Sequence, residues 1–380
     1  MTYIEKLTQD IPELSGELLQ LKTLSDRKLW HELSILVEQL FDNPLFLNSE
    51  LIPFYTNFLK QFENKIDPIK FALFAITISK QYSNMEERDL FLEQCLVTLK
   101  QNLEGRMLVR FEISRNKLMT NGFEFVKELI ETTQNIITEK GTSFFKTIVL
   151  SSFYNVCCLY YKNESVNSSL EFYQSGMLFL TFTDLEKMTK EEKTQLAFEL
   201  GIAALSDPKI FSFGELVKHE ILIHMKDTEH EWLYQLLIAY HSGDMERYQQ
   251  VIEKYSSTIE KNSIFTDKKK LLKDKLITSC LIELIFKRPS NDRNVKFEEI
   301  SKALNISIEE VEFVSMKAMS LGLLKGKIDQ VNKILRVTWV ITRVLTNEQI
   351  KIMKNRLGLW TEKVNEKILL LENETPDLFK

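Results

Sequence analysis

The sequence predicts a mostly α protein: a right-handed, TPR-like helical-repeat solenoid, a domain that ends in a winged helix with a small β-hairpin, and a C-terminal helix. Three observations predict it. Only 11 Gly and 7 Pro punctuate 380 residues rich in Leu, Ile, Phe, Glu and Lys, too little for a sheet-rich fold. Turn-like breaks recur about every 40 residues, near Asn84, Asn121-Gly122, Lys162-Asn163, Asp207-Pro208 and Gly243-Asp244, close to the period of two-helix repeats. Between Phe297 and Trp339 the signals run helix, turn, helix, hairpin.

The chain is longer than one core usually supports, so several packed units are expected. We place a helical-repeat arm at 1–165, a second domain at 166–345 with a helical part at 166–290 and a winged helix at 291–340, and a terminal helix at 346–380. Within the repeats, Leu29 to Phe41, Phe91 to Leu99, Phe123 to Ile137 and Leu170 to Phe182 carry apolar residues at three and four spacings, as helices that bury one stripe do. A unit of this kind cannot hide its stripe alone, so neighbours must stack. The 25 Phe residues read as core filler. The apolar run from Phe144 to Tyr161 contains Lys146, Ser151, Ser152 and Asn155, which suits a buried helix better than a bilayer span. The first residues, Met1 to Lys6, lack a basic segment before an apolar core, so no secretory signal is read there and a soluble protein without a membrane partner is expected.

In the winged-helix segment, Phe297 to Leu304 predicts a short amphipathic helix and Asn305 to Ser307 a turn ending on an N-cap. Ser307 and Glu310 form a capping-box pattern that opens a second helix. Val311, Val314, Ala318 and Leu321 share its apolar face, and Gly322 stands where a left-handed C-cap stops it. Gly326 to Asp329 and Ile334 to Trp339 then flank the polar turn Gln330 to Lys333 as a hairpin. A helix that reads DNA presents Arg, Lys, Asn or Gln to bases and phosphates. This one offers Glu309, Glu310 and Glu312 against Lys317, in a chain with 49 basic and 54 acidic residues, a formal charge of −5 and a pI near 5.8. Phosphates would be repelled, so the surface is expected to bind protein and not nucleic acid.

Residues that could carry chemistry are sparse. His219-Glu220 and His224 resemble a zincin motif with one residue too many, because five helical positions rotate the two imidazoles off a common face. Cys95, Cys157, Cys158 and Cys280 show no metal-ligand spacing and read as core thiols of a reducing compartment. The sequons at Asn163, Asn167, Asn305 and Asn373 therefore carry little weight. No phosphate-binding loop, nucleophile elbow or dinucleotide fingerprint occurs. Acidic pairs such as Glu86-Glu87, Glu191-Glu192 and Glu298-Glu299 read as solvated helix faces. No catalytic residue, cofactor or metal site is expected.

Beyond the hairpin, Thr346 to Gln349 is a second capping-box pattern. It opens a helix whose Ile350, Met353, Leu357, Trp360, Val364, Ile368 and Leu371 keep a three-four spacing over about three heptads. Such a stripe must be covered, and its terminal position favours helices of partner chains over the protein's own core.

A helical arm running into a winged helix resembles the PCI domain, shared by scaffold subunits of the proteasome lid, the COP9 signalosome and a translation initiation factor complex. Within that family, Gln195 to Leu200, Ile202 to Leu205, Lys209 to Leu216, Glu231 to Leu237 and Ser320 to Val331 resemble a regulatory subunit of the proteasome lid. The resemblance covers Gln195 to Trp339 best and the first 165 residues in organisation more than in motif. It implies a non-catalytic scaffold, in the cytoplasm and nucleus, that supports ubiquitin-dependent protein degradation. Its partners would be other PCI subunits, the helical bundle of the lid and, near the arm, the ubiquitin-receptor subunit. Carried over, Ile350 to Leu371 would be the bundle face, and Ile334, Arg336 and Thr338 would lie near the strand edge that pairs with a neighbour. A scaffold of a sister complex and a winged-helix regulator of nucleic acid are the alternative readings.

Overall fold

The computed structural model describes residues 7, 14–43, 46, 51–163, 168–226, 228–259, 268–288, 292–344 and 347–374. Helices dominate, and the chain divides into two compact units, Met1–Thr189 and Lys190–Lys380.

The first unit contains α1 (Ser15–Asp26), α2 (Trp30–Asp42), α3 (Leu51–Asn57), α4 (Pro68–Ser79), α5 (Met85–Thr98), α6 (Leu103–Met119), α7 (Phe123–Lys140), α8 (Thr147–Lys162) and α9 (Ser169–Phe182). Three of these helices, α4, α5 and α6, start where the sequence supplies a side-chain acceptor for an orphan amide. Asp67 takes the amide of Ile69 with Pro68 in the first turn, Asn84 takes that of Glu86, and Asn102 takes that of Gly105 at 2.7 Å. Phenylalanines fill the first part of the core, with Phe41 stacked on Phe74 at 5.1 Å and Phe46 edge-on to Phe54 at 5.2 Å. α6 is the central helix and packs against α4, α5, α7 and α8. Its buried Glu112 is paired with both Arg88 of α5 and Arg115, and its Asn116 donates to Asp89 at 2.7 Å, so these buried side chains find partners between α5 and α6, although Arg88 Nε is left without one. The apolar run predicted to be buried forms α8, with Val149, Leu150, Phe153, Val156 and Cys157 in the core and Phe144 exposed before the helix begins.

The second unit begins with α10 (Lys190–Ser206), α11 (Gly214–Lys218) and a 3-10 segment (Glu220–Met225). It continues with α12 (Glu231–Ser242), α13 (Met245–Ile259) and α14 (Lys269–Lys287). The last turn of α10 ends inside the unit, where its carbonyls need donors. Lys275 of α14, 2% exposed, supplies them: its ammonium lies 2.5 Å from the Ala204 carbonyl and 2.6 Å from that of Asp207. The rings of Phe211 and Phe213 lie 5.6 and 5.1 Å from the same nitrogen. Burial lowers the Lys275 pKa to about 7.

The winged helix follows as β1 (Asn294–Lys296), α15 (Phe297–Leu304), α16 (Ile308–Ser320), β2 (Leu324–Asp329) and β3 (Ile334–Val340), and α17 (Asn347–Glu374) ends the described chain. α15 stops at Asn305 in a left-handed conformation. The predicted capping box is present: the Ser307 hydroxyl accepts from the Glu310 amide at 3.3 Å and the Glu310 carboxylate from the Ser307 amide at 3.1 Å. Gly322, at φ +70°, follows the end of α16. The buried face of α16 is Val311, Ser315 and Ala318, with Val314 and Leu321 half-buried. Ser315 is tolerated there because its hydroxyl donates to the Val311 carbonyl at 2.8 Å.

The sheet has three strands in the order β1-β3-β2, all antiparallel, so the hairpin is joined by a strand that precedes α15. At its centre, Gly326 is required by close approach: a Cβ there would lie 2.3 Å from the Arg336 carbonyl oxygen.

Candidate partner-binding surfaces

The chain leaves β3 through Ile341 to Val344, and this short passage is held at Ile341, Arg343 and Val344. The Ile341 amide donates to the Leu323 carbonyl at 2.9 Å, and Arg343 forms an ion pair with Glu283 of α14. Val344 packs so closely on the start of α11 that a Cβ at Gly214 would come within 2.8 Å of it. His241 lies in the same cluster, and its pKa is lowered by burial, then by Arg343, with Glu283 opposing. The predicted capping box at Thr346 and Gln349 falls on Thr346 and on a side chain outside the described residues.

α17 runs on for 28 residues from this anchored base. Every described side chain from Ile350 to Leu371 is exposed, and among the described residues no other helix or strand packs along it. Ile350, Met353, Leu357, Trp360, Val364, Ile368 and Leu371 form one stripe, from 36% exposed at Val364 to 65% at Trp360. Ile352, Leu359, Leu369 and Leu370 widen the apolar surface beyond that stripe. Covering side chains of this size is worth about 1 kcal/mol or more each, and a stripe of this length is far from the scattered apolar exposure of ordinary surfaces.

The sheet corrects one expectation. Ile334 and Arg336 do not line a free edge, because β3 is the central strand there and both have Cα partners in β1 and β2, whereas Thr338 lies beyond the stretch that β1 pairs. Thr338 lies at the register shift opposite Lys325, and its hydroxyl donates to the Lys325 carbonyl at 3.0 Å. The short β1 brought this about, and the long outer edge of the sheet belongs to β2.

On α16, Glu309 and Glu310 are exposed at the N-terminus, where a helix dipole favours acids, and Lys317 is paired with Asp274 at 2.8 Å. Further along, the outward face carries apolar Phe313, 71% exposed, and Met316, with Glu312 half-buried and Ser320 exposed. This face has acids and aromatic surface where a phosphate reader needs free cations.

The histidines do not converge. His219 is the N-cap of the 3-10 segment and its Nδ1 accepts from the Ile221 amide, so the stretch read as one helix through His224 breaks at its first histidine. His230 lies against Phe198, ring centroids 4.3 Å apart and the rings tilted by 35°. Among the described residues no three His, Cys, Asp or Glu side chains are grouped to hold a metal, and no helix is long and apolar enough to cross a membrane. The four cysteines are buried and in no disulfide, and burial pushes Cys95 and Cys280 up to about 12, far from the thiolate a nucleophile needs.

Comparison with known proteins shows the family. The family described as PSD13 N-terminal repeats matches residues 17–237, and the PCI domain family matches residues 252–339. The 26S proteasome non-ATPase regulatory subunit 13 of Dictyostelium discoideum is 33% identical over the whole chain and 98% of its own length. The chain belongs to the proteasome non-ATPase regulatory subunit 13 family. Homolog A of that subunit from Arabidopsis thaliana is 34% identical, again over the whole chain and 98% of its length. The 26S proteasome regulatory subunit RPN9 of Saccharomyces cerevisiae is 30% identical over 93% of this chain and 92% of its own. The PCI match runs from within α13 to Trp339 in β3, so the winged helix is the end of the PCI domain, and α17 lies beyond it.

Proposed function

We propose that this protein is a non-catalytic scaffold subunit of the lid of the proteasome regulatory particle, in the cytoplasm and nucleus, and that it supports ubiquitin-dependent degradation by holding other PCI subunits in place. The observation that carries this reading is α17: an anchored terminal helix whose apolar stripe is exposed and along which no other described helix or strand packs. A stripe at coiled-coil spacing is matched by other helices, so a shared helical bundle is its natural site. Lateral pairing with a neighbouring PCI subunit then uses the outer edge of β2, since an unpaired strand edge is a template for another strand. The arm would lie near the ubiquitin-receptor subunit. No residue is assigned a catalytic role, in keeping with relatives named as regulatory subunits.

The test is to tag the N-terminus, purify the protein gently from its native cells with and without residues 346–380, and determine the mass and composition of what it sits in. Recovery in a megadalton particle with peptidase activity, lost on truncation, is the expected result. Recovery as a free monomer, or with nucleic acid alone, would overturn the reading.

A further inference from the structure

The arm carries a second open surface, unrelated to α17. α5 and α7 each pack against α6 but not along one another, and between them α6 forms the floor of a groove of about 570 Å³. Leu96, Met107, Phe111 and Leu129 supply apolar lining from all three helices. Along the floor Arg106, Arg110 and Lys117 follow at spacings of four and seven residues, which puts them on one face of α6 over about 16 Å, or three turns.

The charges of these residues are left over by the fold. On the same helix Arg115 shares the buried Glu112 with Arg88, yet among the described residues Arg106 and Arg110 have no carboxylate partner. Lys117 is turned onto the Phe125 ring, 3.9 Å from its centroid, which keeps its charge at the mouth of the groove. The walls contribute one carboxylate each, Glu93 on α5 and Glu128 on α7. Three cations against two anions make the groove positive inside a chain whose formal charge is −5. Side chains of the partner that face the floor should therefore be acidic, and those at the rims neutral or basic.

We propose that this groove binds an amphipathic α-helix of another protein, of about three turns, with acidic side chains four residues apart facing Arg106 and Arg110 and its apolar side chains in the lining. A helix laid between two helices fits this shape. A small anion would leave the apolar length uncovered, and a nucleic acid backbone would meet Glu93 and Glu128 on both walls.

The test uses the full chain and a fluorescein-labelled 16-residue helical peptide with Leu at three-four spacing and Glu at every fourth position, followed by fluorescence anisotropy. A matched peptide with Lys in place of each Glu is the control. The Glu peptide is expected to bind at least tenfold tighter than the Lys peptide, to weaken with added salt, and to lose at least tenfold in affinity on the double change Arg106→Glu and Arg110→Glu, with the circular dichroism of the variant unchanged. Equal binding of the two peptides, no binding of the Glu peptide, or indifference to the double change would overturn the proposal. The peptide comparison and the salt titration need no variant, so misfolding of the double mutant would not leave the matter open. The assay is run in the Leu357→Asp, Trp360→Asp background, which removes the α17 stripe as a second site for the peptide, so failure here leaves the scaffold reading intact.

Discussion

α7 and α17 carry the same kind of sequence and meet opposite fates. Both repeat apolar residues at three and four positions, yet α7 buries Val126, Leu129, Ile130 and Ile137 inside its own unit while α17 exposes every described side chain of its stripe. Periodicity specifies that a face must be covered; it does not specify by which chain. The difference lies in what neighbours them. α7 sits between α6 and α8 in a stack, whereas α17 follows the last strand and no described element packs along it.

The largest effect should come from putting the same substitution on each helix. Asp at Ile130, which is 4% exposed, should cost more than about 4 kcal/mol and unfold the arm in thermal or urea melts, because a carboxylate is forced into the core. Asp at Leu357 and Trp360 together should shift the melting of the isolated chain by less than about 0.5 kcal/mol and still abolish incorporation into the particle. Unfolding of the isolated Leu357/Trp360 variant would show that α17 belongs to the protein's own core after all.

A smaller loss is expected at the end of α10. Lys275→Met should cost about 2 to 3 kcal/mol in urea denaturation, since the carbonyls of Ala204 and Asp207 lose a buried donor. A neutral outcome would mean that water replaces the ammonium.

Acidification probes the anchored base of α17. His241 and His219 both have pKa values lowered in the folded state, chiefly by burial, and for His241 also by Arg343. The unfolded chain therefore takes up protons near pH 6.5 that the folded chain refuses, so stability is lost as pH falls below that value, by at most about 1.4 kcal/mol per pH unit for each group. Melting temperatures from pH 8 to 5 should decline, and His241→Gln should flatten the decline. An unchanged slope in that variant would remove His241 from the explanation.

The smallest effect is expected on α16. Lys317→Glu breaks an exposed pair with Asp274 and should cost less than about 1 kcal/mol, with no change in incorporation. A loss of nucleic-acid affinity in a binding assay would contradict the reading of this helix as a protein-facing surface.

Much of this architecture was legible in local signals. The Ser307 and Glu310 box, the stop at Gly322 and the stripe of α17 each depend on a few neighbouring residues, and each was found where the spacing put it. β1 was not legible, because Asn294 to Lys296 is too short to show a period, and with it went the central position of β3. Lys275 reads as a solvated charge in sequence; only the end of α10, some 70 positions earlier, makes it a buried donor. The groove over α6 depends on which helices fail to touch, a property no single helix encodes.

The held passage from Ile341 to Val344 has a consequence for avidity. Two residues separate Val344 from the first residue of α17, a tether no longer than about 10 Å when extended. In the proposed scaffold, strand edge and helix stripe are thus two ligands on one short leash. Once a neighbouring assembly captures either, the other meets it at an effective concentration of about millimolar, and the pair holds about 10² to 10⁴ times better than the stronger contact alone. Cutting that leash, or lengthening it with a flexible insert after Val344, would convert a subunit that stays into one that exchanges.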